Sequence, residues 1–540
     1  MSPTTSILLY WNTLRYLRLR QIVSRVAFKL TRPSIDRSKA GGRSPPTGNW
    51  VTSIPRSQSV FTDSAEFLSE RRNIRQATIW NDSSVSKLWL YNLHYCDDLL
   101  ASPASRREEH RAFMDRWISE NPPAGGNGWE PYPTSLRIVN WIKWSIEGGD
   151  IHDNAWQSLA IQTRWLARRI EHHLLANHLF VNAKALVFAG LASRGGEADQ
   201  WLECGLRILR QQIPEQVLTD GGHFERSPMY HALILEDMLD LLNAFHAWPN
   251  RVSSSDVLLV ERTVPAMLDW LAAMTHPDGE VALFNDAAFG IAPTPDEIQD
   301  YAQRLCVSTH RPVRPALLDL AESGYFSAVV DNAHLFVDAA PIGPDMQPGH
   351  AHADTLSFEL SLGDERIIVN GGTSTYSVGV QRSLERSTRS HSTLQVGDID
   401  SSEVWGGFRV ARRARIISRI SECRTDGSLF MSASHDGYRR LKRTALHTRT
   451  WSLASNSLTV RDTIPTSGAV SRFILHPSLV RRGDMDFQTD SGVVVGFEVH
   501  GGSLRAVSAE YRPRFGHRIG TVCVEAIPSG NEMTVTIRWR

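Results

Sequence analysis

The chain has 540 residues, 41% of them hydrophobic, with 37 Gly and 26 Pro, which excludes a collagen-like or globally disordered polymer and leaves ample material for a core. Its 58 Lys and Arg balance 58 Asp and Glu, so no overall field draws it to nucleic acid, and attraction for a charged ligand must be local. Cys96, Cys204, Cys306, Cys423 and Cys523 stand far apart without a Cys-x-x-Cys pair, which reads as buried thiols rather than a zinc ribbon or redox centre.

From Ile7 to Leu30 the chain mixes Leu, Tyr and Val with Arg15, Arg18, Arg20, Arg25 and Lys29, so it has no uninterrupted apolar core for a secretory signal. No run of about 18 apolar residues occurs, and a transmembrane segment is not expected. Residues 32–60, carrying Pro33, Gly41, Gly42, Pro45, Pro46 and Pro55, read as a linker. Beyond it, apolar residues recur at helical spacing: helices are expected at 103–119, 134–147, 156–175, 182–193, 200–213, 229–245 and 256–274. After about residue 325 the period changes to two. Leu356, Phe358, Leu360 and Leu362 alternate with Ser357, Glu359 and Ser361, and the same grammar returns at 409–420, 445–452, 457–463 and 533–539. The fold class expected is therefore α+β and multidomain: an N-terminal segment and linker over 1–60, a domain of helical hairpins over 61–324, and an antiparallel β-sandwich over 325–540.

Four polar clusters interrupt this pattern. Asn177 and His178 sit at the expected end of the 156–175 helix, where a plain helix-to-helix turn would also account for them. Asp220 to His231 is a polar loop running into an apolar helix, with Ser227 as N-cap and Pro228 at the first helical position. Capping leaves His223, Glu225, Arg226, Tyr230 and His231 unexplained, more reactive groups than a loop requires. In the third cluster His350, His352 and Asp354 share a face if the chain is extended, an arrangement that can bind a metal, shuttle a proton or form a structural network. In the fourth, Arg386, Arg389 and His391 offer positive charge to an anion or to surface carboxylates.

The strings Trp-Glu-Pro-Tyr-Pro-Thr-Ser-Leu-Arg-Ile-Val-Asn-Trp (129–141), Asn-His-Leu (177–179), Asp-Gly-Gly-His-Phe-Glu-Arg-Ser-Pro-Met-Tyr-His (220–231) and Gly-His-Ala-His-Ala-Asp-Thr-Leu-Ser-Phe (349–358) together resemble the heparinase II/III-like family of bacterial polysaccharide lyases. The likeness runs from about Trp89 to at least Ala414. It implies an incomplete α/α toroid followed by an antiparallel β-domain, and β-elimination on an acidic, uronate-containing glycan such as a glycosaminoglycan or exopolysaccharide. By the same resemblance Asn177 neutralises the uronate carboxylate, with His178 a second candidate, Tyr230 is the catalytic acid or base, and His350 is the partner base. Trp129, Arg137, His223, Glu225, Arg226 and Arg386 are the expected substrate-binding residues. No cofactor is required for such a reaction. Some relatives hold a structural zinc, and His352 and His391 match two of its ligand positions, but Asn370 stands where an acidic ligand is usual and an amide is the poorer zinc donor. The resemblance implies the periplasm or cell envelope, although no recognisable signal peptide precedes it.

Two other readings stay open on residues alone. Glu225 and Asp286 could form the carboxylate pair of an inverting glycoside hydrolase on the same toroid. A non-catalytic glycan-binding accessory protein would keep the cleft without turnover, with Trp129, Trp141 and Trp405 stacking on sugar rings.

Overall fold

The computed structural model describes residues 3–101, 104–307, 315–441, 446–464 and 466–540. Two short helices, α1 (Pro3–Leu14) and α2 (Leu19–Leu30), come first. The stretch from Arg32 to Ser59 then lies extended along the helical domain, where the indoles of Trp156 and Trp248 donate to the Gly41 and Ser44 carbonyls at 2.8 and 3.0 Å.

The helical domain comprises α3 (Lys87–Tyr95), α4 (Arg107–Glu120), α5 (Pro131–Ile146), α6 (Asp153–Ala167), α7 (Ala176–Ala192), α8 (Gly196–Gln216), α9 (Pro228–Ala247), α10 (Ser254–Ala273) and α11 (Pro295–Arg304). Helix α7 is central and buried almost all round, which is why Ala183–Ala192 has no polar stripe. It packs backbone to backbone on α8: a Cβ on Gly190 would fall 2.6 Å from the Leu202 nitrogen, and one on Gly205 2.7 Å from the Ala183 carbonyl oxygen. Each expected helix is found within a few residues, residue 103 of the first lying outside the described residues. Two bounds differ substantially. α7 begins at Ala176 rather than at 182. α6 stops at Ala167 instead of reaching 175, because the Glu171 N–H is taken by Asn182 Oδ1 at 2.9 Å, and Leu175 and Ala176 then adopt φ of 64° and 50°.

From Leu317 onward the chain is mostly strands, interrupted by a short α-helix, α12 (Val380–Glu385). One nine-stranded antiparallel sheet runs from Gly502–Tyr511 through Ile519–Pro528, Ala469–Leu475, Glu365–Val369, Phe358–Leu362, Ala333–Asp338 and Tyr325–Val330 to Leu317–Leu320, with Leu394–Val396 paired to Ala469–Leu475. The second, eight-stranded sheet carries Ile416–Cys423, Leu429–His435, His447–Ala454, Ser457–Thr463 and Glu532–Trp539. Apolar faces of the two meet through Phe326, Leu335, Phe358, Met431, Trp451 and Ile537, which makes a sandwich. The period-two readings hold at 457–463 and 533–539, where Leu458, Val460, Met533, Val535, Ile537 and Trp539 are buried. The strand expected at 445–452 is His447–Ala454, residue 445 lying outside the described residues.

Two β expectations need correcting. The 409–420 run is split into Arg409–Val410 and Ile416–Cys423. The alternation from Leu356 to Leu362 does not mark one buried and one open face: its strand begins at Phe358 and both faces are covered. One face meets the second sheet. The other meets the helical domain, where Glu359 and Ser361 take both ring nitrogens of His276 at 2.8 and 2.7 Å, so these polar residues are interior partners rather than solvent-facing ones. Of the cysteines, Cys306 and Cys423 are exposed, against the reading of uniformly buried thiols.

Candidate active site

The start of α9 carries one half of the site. Ser227 caps the helix by accepting the Tyr230 N–H at 3.2 Å, Pro228 occupies its first turn, and the same hydroxyl donates to the Asp286 carbonyl at 2.7 Å. Glu225, one residue before the left-handed Arg226 (φ 59°), is thereby turned inward and is 2% exposed. Its carboxylate accepts the Asn177 amide at 3.0 Å. Burial raises the Glu225 pKa above the ordinary carboxylate value.

Asn177 lies in the first turn of α7, not at the end of the preceding helix. Leu175 gives that turn no side-chain cap, so a seventeen-residue helix directs uncapped amide donors and the positive end of its dipole toward the Asn177 region. Asn177 is 4% exposed, and its amide nitrogen also lies 3.5 Å from His350 Nε2. His178 points elsewhere: its Nδ1 is 3.2 Å from Glu171 Oε2 and its ring packs on Tyr132. Burial alone would lower the His178 pKa, but the adjacent Glu171 carboxylate outweighs it and the net shift is upward.

The loop 349–357 supplies the other half. It is irregular, not an extended strand, yet His350 and His352 both reach Asp286, at 2.9 Å (Nδ1 to Oδ2) and 2.8 Å (Nε2 to Oδ1). Asp354 is diverted to accept the Asn285 N–H at 3.0 Å. Asp286 is fully buried and also takes both terminal nitrogens of Arg382, which α12 (Val380–Glu385) presents, one of them at 2.7 Å. Burial would push the Asp286 pKa up; the Arg382 charge, with the two imidazole hydrogen bonds, overrides it and holds the carboxylate well below its usual range. An ionised carboxylate accepts only, so His350 carries its proton on Nδ1 and leaves the Nε2 lone pair facing Asn177.

Tyr230 completes the cluster. Its ring lies on His350 with centroids 3.9 Å apart, and its hydroxyl is 3.2 Å from that of Tyr376. Burial, then Tyr376, raises the Tyr230 pKa well above the ordinary phenol value, so it remains a proton donor at neutral pH. Imidazole, phenol and amide thus lie together, His350 meeting Asn177 through Nε2 and Tyr230 through its ring face.

The remaining expected residues are placed differently. His223 lies behind Glu225, its Nε2 3.0 Å from Gln216 Oε1, and burial keeps it neutral. Arg137, Arg226, Arg386 and Trp129, expected to bind substrate, are buried in the interior, and that expectation is corrected. Arg137 lies under Trp117 and donates to Gln162, His94 and Gly128; Arg226 donates to the Ser323, Glu322 and Phe224 carbonyls; Arg386 donates to those of Ala351, Gly406 and Arg409. The Trp129 indole donates to the Asn121 carbonyl in the core. Each guanidinium is spent on backbone carbonyls of the interior.

The zinc positions do not fit a metal. His352 Nδ1 meets His391 Nε2 directly at 3.3 Å, and Asn370 Oδ1 accepts the Ser392 N–H at 3.2 Å. Among the described residues no group of three His, Cys, Asp or Glu side chains is arranged to hold an ion. Asp286 is likewise engaged by Arg382 and both imidazoles, which leaves the hydrolase reading without a second carboxylate to activate water.

Tyr376 and Arg382 escaped the sequence reading. Arg382 precedes Arg386 by one helical turn, a same-face spacing in Gln-Arg-Ser-Leu-Glu-Arg, and Tyr376 is a lone aromatic in a loop of small polar residues.

Comparison with known proteins follows the same division of the chain. The family described as Heparinase II/III N-terminus matches residues 113–304, and that described as Heparinase II/III-like, C-terminal, matches residues 312–540. A heparin-sulfate lyase of Bacteroides stercoris is 25% identical over 252 residues, 42% of this chain and 37% of that protein. FtsZ-localized protein C of Caulobacter vibrioides is 25% identical over 268 residues, 48% of this chain and 44% of that protein. The match thus spans less than half the length of either relative. A crystal structure of heparinase III superposes with a TM-score of 0.67 at 15% identity, covering 85% of this chain and 79% of that one. The heparan sulfate lyase HepC from Pedobacter heparinus gives 0.56 at 17% identity, over 87% and 79%. The fold is shared with these structures: a helical toroid followed by antiparallel sheets.

Proposed function

Since the chain belongs to the heparinase II/III-like family, we propose that it is a polysaccharide lyase cleaving an acidic, uronate-containing glycan by β-elimination. The observation that carries this reading is the convergence of Asn177, Tyr230 and His350, with Asp286 fixing the tautomer of the last.

The C5 proton of a uronate is hardly acidic while the neighbouring carboxylate is charged. Asn177, in the uncapped first turn of α7, offers that carboxylate hydrogen bonds that strengthen as an enolate-like intermediate forms, a contribution of about 10²–10³-fold. His350 Nε2 takes the C5 proton. The C4–O4 bond then breaks, its former C5–H electrons closing the C4–C5 double bond, and Tyr230 gives its phenolic proton to the departing glycosidic oxygen. Glu225 adjoins the carboxylate subsite. Burial holds its pKa above the ordinary carboxylate value.

The test is incubation with a panel of acidic polysaccharides, followed by ultraviolet absorbance of the conjugated C4–C5 double bond. Tyr230→Phe should lower the rate by about 10²–10⁴-fold while polymer binding persists. Shortened products without the chromophore, or retained activity in Tyr230→Phe with loss in Glu225→Gln, would reject elimination.

A further inference from the structure

Helices α1 and α2 are amphipathic in the reverse sense for a globular surface. In α2 the residues Leu19, Ile22, Val23, Val26 and Leu30 follow i, i+3, i+4, i+7 and i+11 and form one stripe, yet all are exposed, Leu19 and Leu30 by 76% and 78%. In α1 the residues Ile7, Trp11 and Leu14 lie exposed at the same spacing, Trp11 by 64%, while Tyr10 meets the Trp405 ring edge-on with centroids 5.0 Å apart. The opposite, narrower faces hold the pair in place. Thr13 accepts the Trp405 indole at 3.1 Å, Gln21 donates to the Met346 carbonyl at 3.1 Å, and Phe28 packs on His173 under Arg169. These anchors belong to both domains, so the apolar stripes are fixed outward rather than being ends that have failed to fold back.

Charge selects the partner. Arg25 and Lys29 flank the α2 stripe, Arg15 follows α1, and no Asp or Glu occurs before Asp36, whereas Arg18 and Arg20 are engaged by Glu215 of α8. Two copies apposed through this face would bring like charges together. A surface that is apolar beneath and anionic at its boundary satisfies both features, and an exposed Trp among aliphatic residues suits the depth at which lipid headgroups give way to acyl chains. Among the described residues no helix is long and apolar enough to cross a membrane, so the arrangement suits lying on a bilayer.

We propose that α1 and α2 form a docking face for an anionic phospholipid surface, which holds the cleft beside a membrane. Full-length protein is floated with vesicles of phosphatidylcholine alone or mixed with phosphatidylglycerol. Binding is expected only to the mixed vesicles and weakens as salt rises. Val26→Asp with Leu30→Asp, at exposed positions, should abolish it without changing the melting temperature. Arg25→Glu with Lys29→Glu leaves every apolar contact in place and should weaken it by about tenfold or more. Equal binding to both vesicle types, no binding to either, or indifference to both double substitutions would overturn the proposal. So would a dimer in sedimentation equilibrium that Val26→Asp with Leu30→Asp dissolves, which would give the face to a second copy.

Discussion

Asp286→Asn is the sharpest test of how the base is set. The substitution keeps the shape of the side chain but replaces one acceptor oxygen by an NH₂ group, at a buried position where His350, His352 and Arg382 all donate. Facing that NH₂, His350 would accept at Nδ1 and carry its proton on Nε2, which removes the lone pair that meets the C5 proton. In a serine protease triad the equivalent tautomer error costs about 10⁴-fold, and a loss of about 10²–10⁴-fold in kcat with little change in KM is expected here. Stability falls too. Arg382 is 0% exposed and would lose the carboxylate that both its terminal nitrogens bond, a penalty of about 3–5 kcal/mol for breaking a buried pair. The sign follows from the depressed Asp286 pKa: the stabilisation is present above the unfolded value of 3.8 and is lost as pH falls through the lower folded value, so parent and variant differ fully at neutral pH and converge only in strong acid. Ultraviolet elimination rates and urea unfolding on the same preparations check both limbs. A folded Asp286→Asn protein with the parent's kcat would refute the assignment of His350 as the oriented base.

Other outcomes follow from the same geometry. Glu171→Gln removes the carboxylate that does most to hold the His178 pKa up against burial; the pKa falls, and KM for a uronate polymer should begin to rise at lower pH than in the parent, whereas superimposable KM profiles would detach His178 from carboxylate binding. Arg386→Met should reduce thermal stability and kcat while leaving KM unchanged, because its guanidinium holds the Ala351 carbonyl between His350 and His352; a large rise in KM alone would return it to the substrate. Ala176→Gly relieves a left-handed φ of 50°, which stores roughly 1–3 kcal/mol; the melting temperature should rise while kcat falls as Asn177 loses its fixed direction, and a lower melting temperature with unchanged kcat would contradict the strain argument.

What the sequence disclosed and what it withheld divide along one physical line. Period and capping are local: the change from helical to alternate spacing near residue 325, Ser227-Pro228 opening α9, and the buried face of 533–539 all follow from neighbours a few residues apart. The direction of a long charged side chain is not local. Arg137, Arg386 and Arg382 look alike in a string of letters, yet the first two end on backbone carbonyls and the third on Asp286. The same limit explains Glu359 and Ser361, which read as a solvent face until the helical domain covers them and His276 takes both. Left-handed residues mark the site more closely than composition does: Leu175, Ala176, Arg226, Asn285 and Leu356 each lie within two residues of Asn177, Glu225, Asp286 or Asp354.

These contacts are unequal, and the inequality bears on how a polymer is admitted. Tyr230 and His350 are joined through bonds to the main chain: Ser227 donates to the Asp286 carbonyl, Asn285 donates to the Arg226 carbonyl, the Asp286 N–H donates to the His350 carbonyl, and the His352 N–H donates to Asn285. The Asn177 amide, by contrast, meets the other two through side-chain bonds, to Glu225 at 3.0 Å and His350 at 3.5 Å. A sugar carboxylate offers Asn177 the same kind of acceptor that Glu225 provides, so substrate can displace that bond without disturbing the pair that moves protons. On the proposed mechanism, acid and base are therefore organised before a glycan arrives, and the carboxylate subsite is exchanged at the moment of binding.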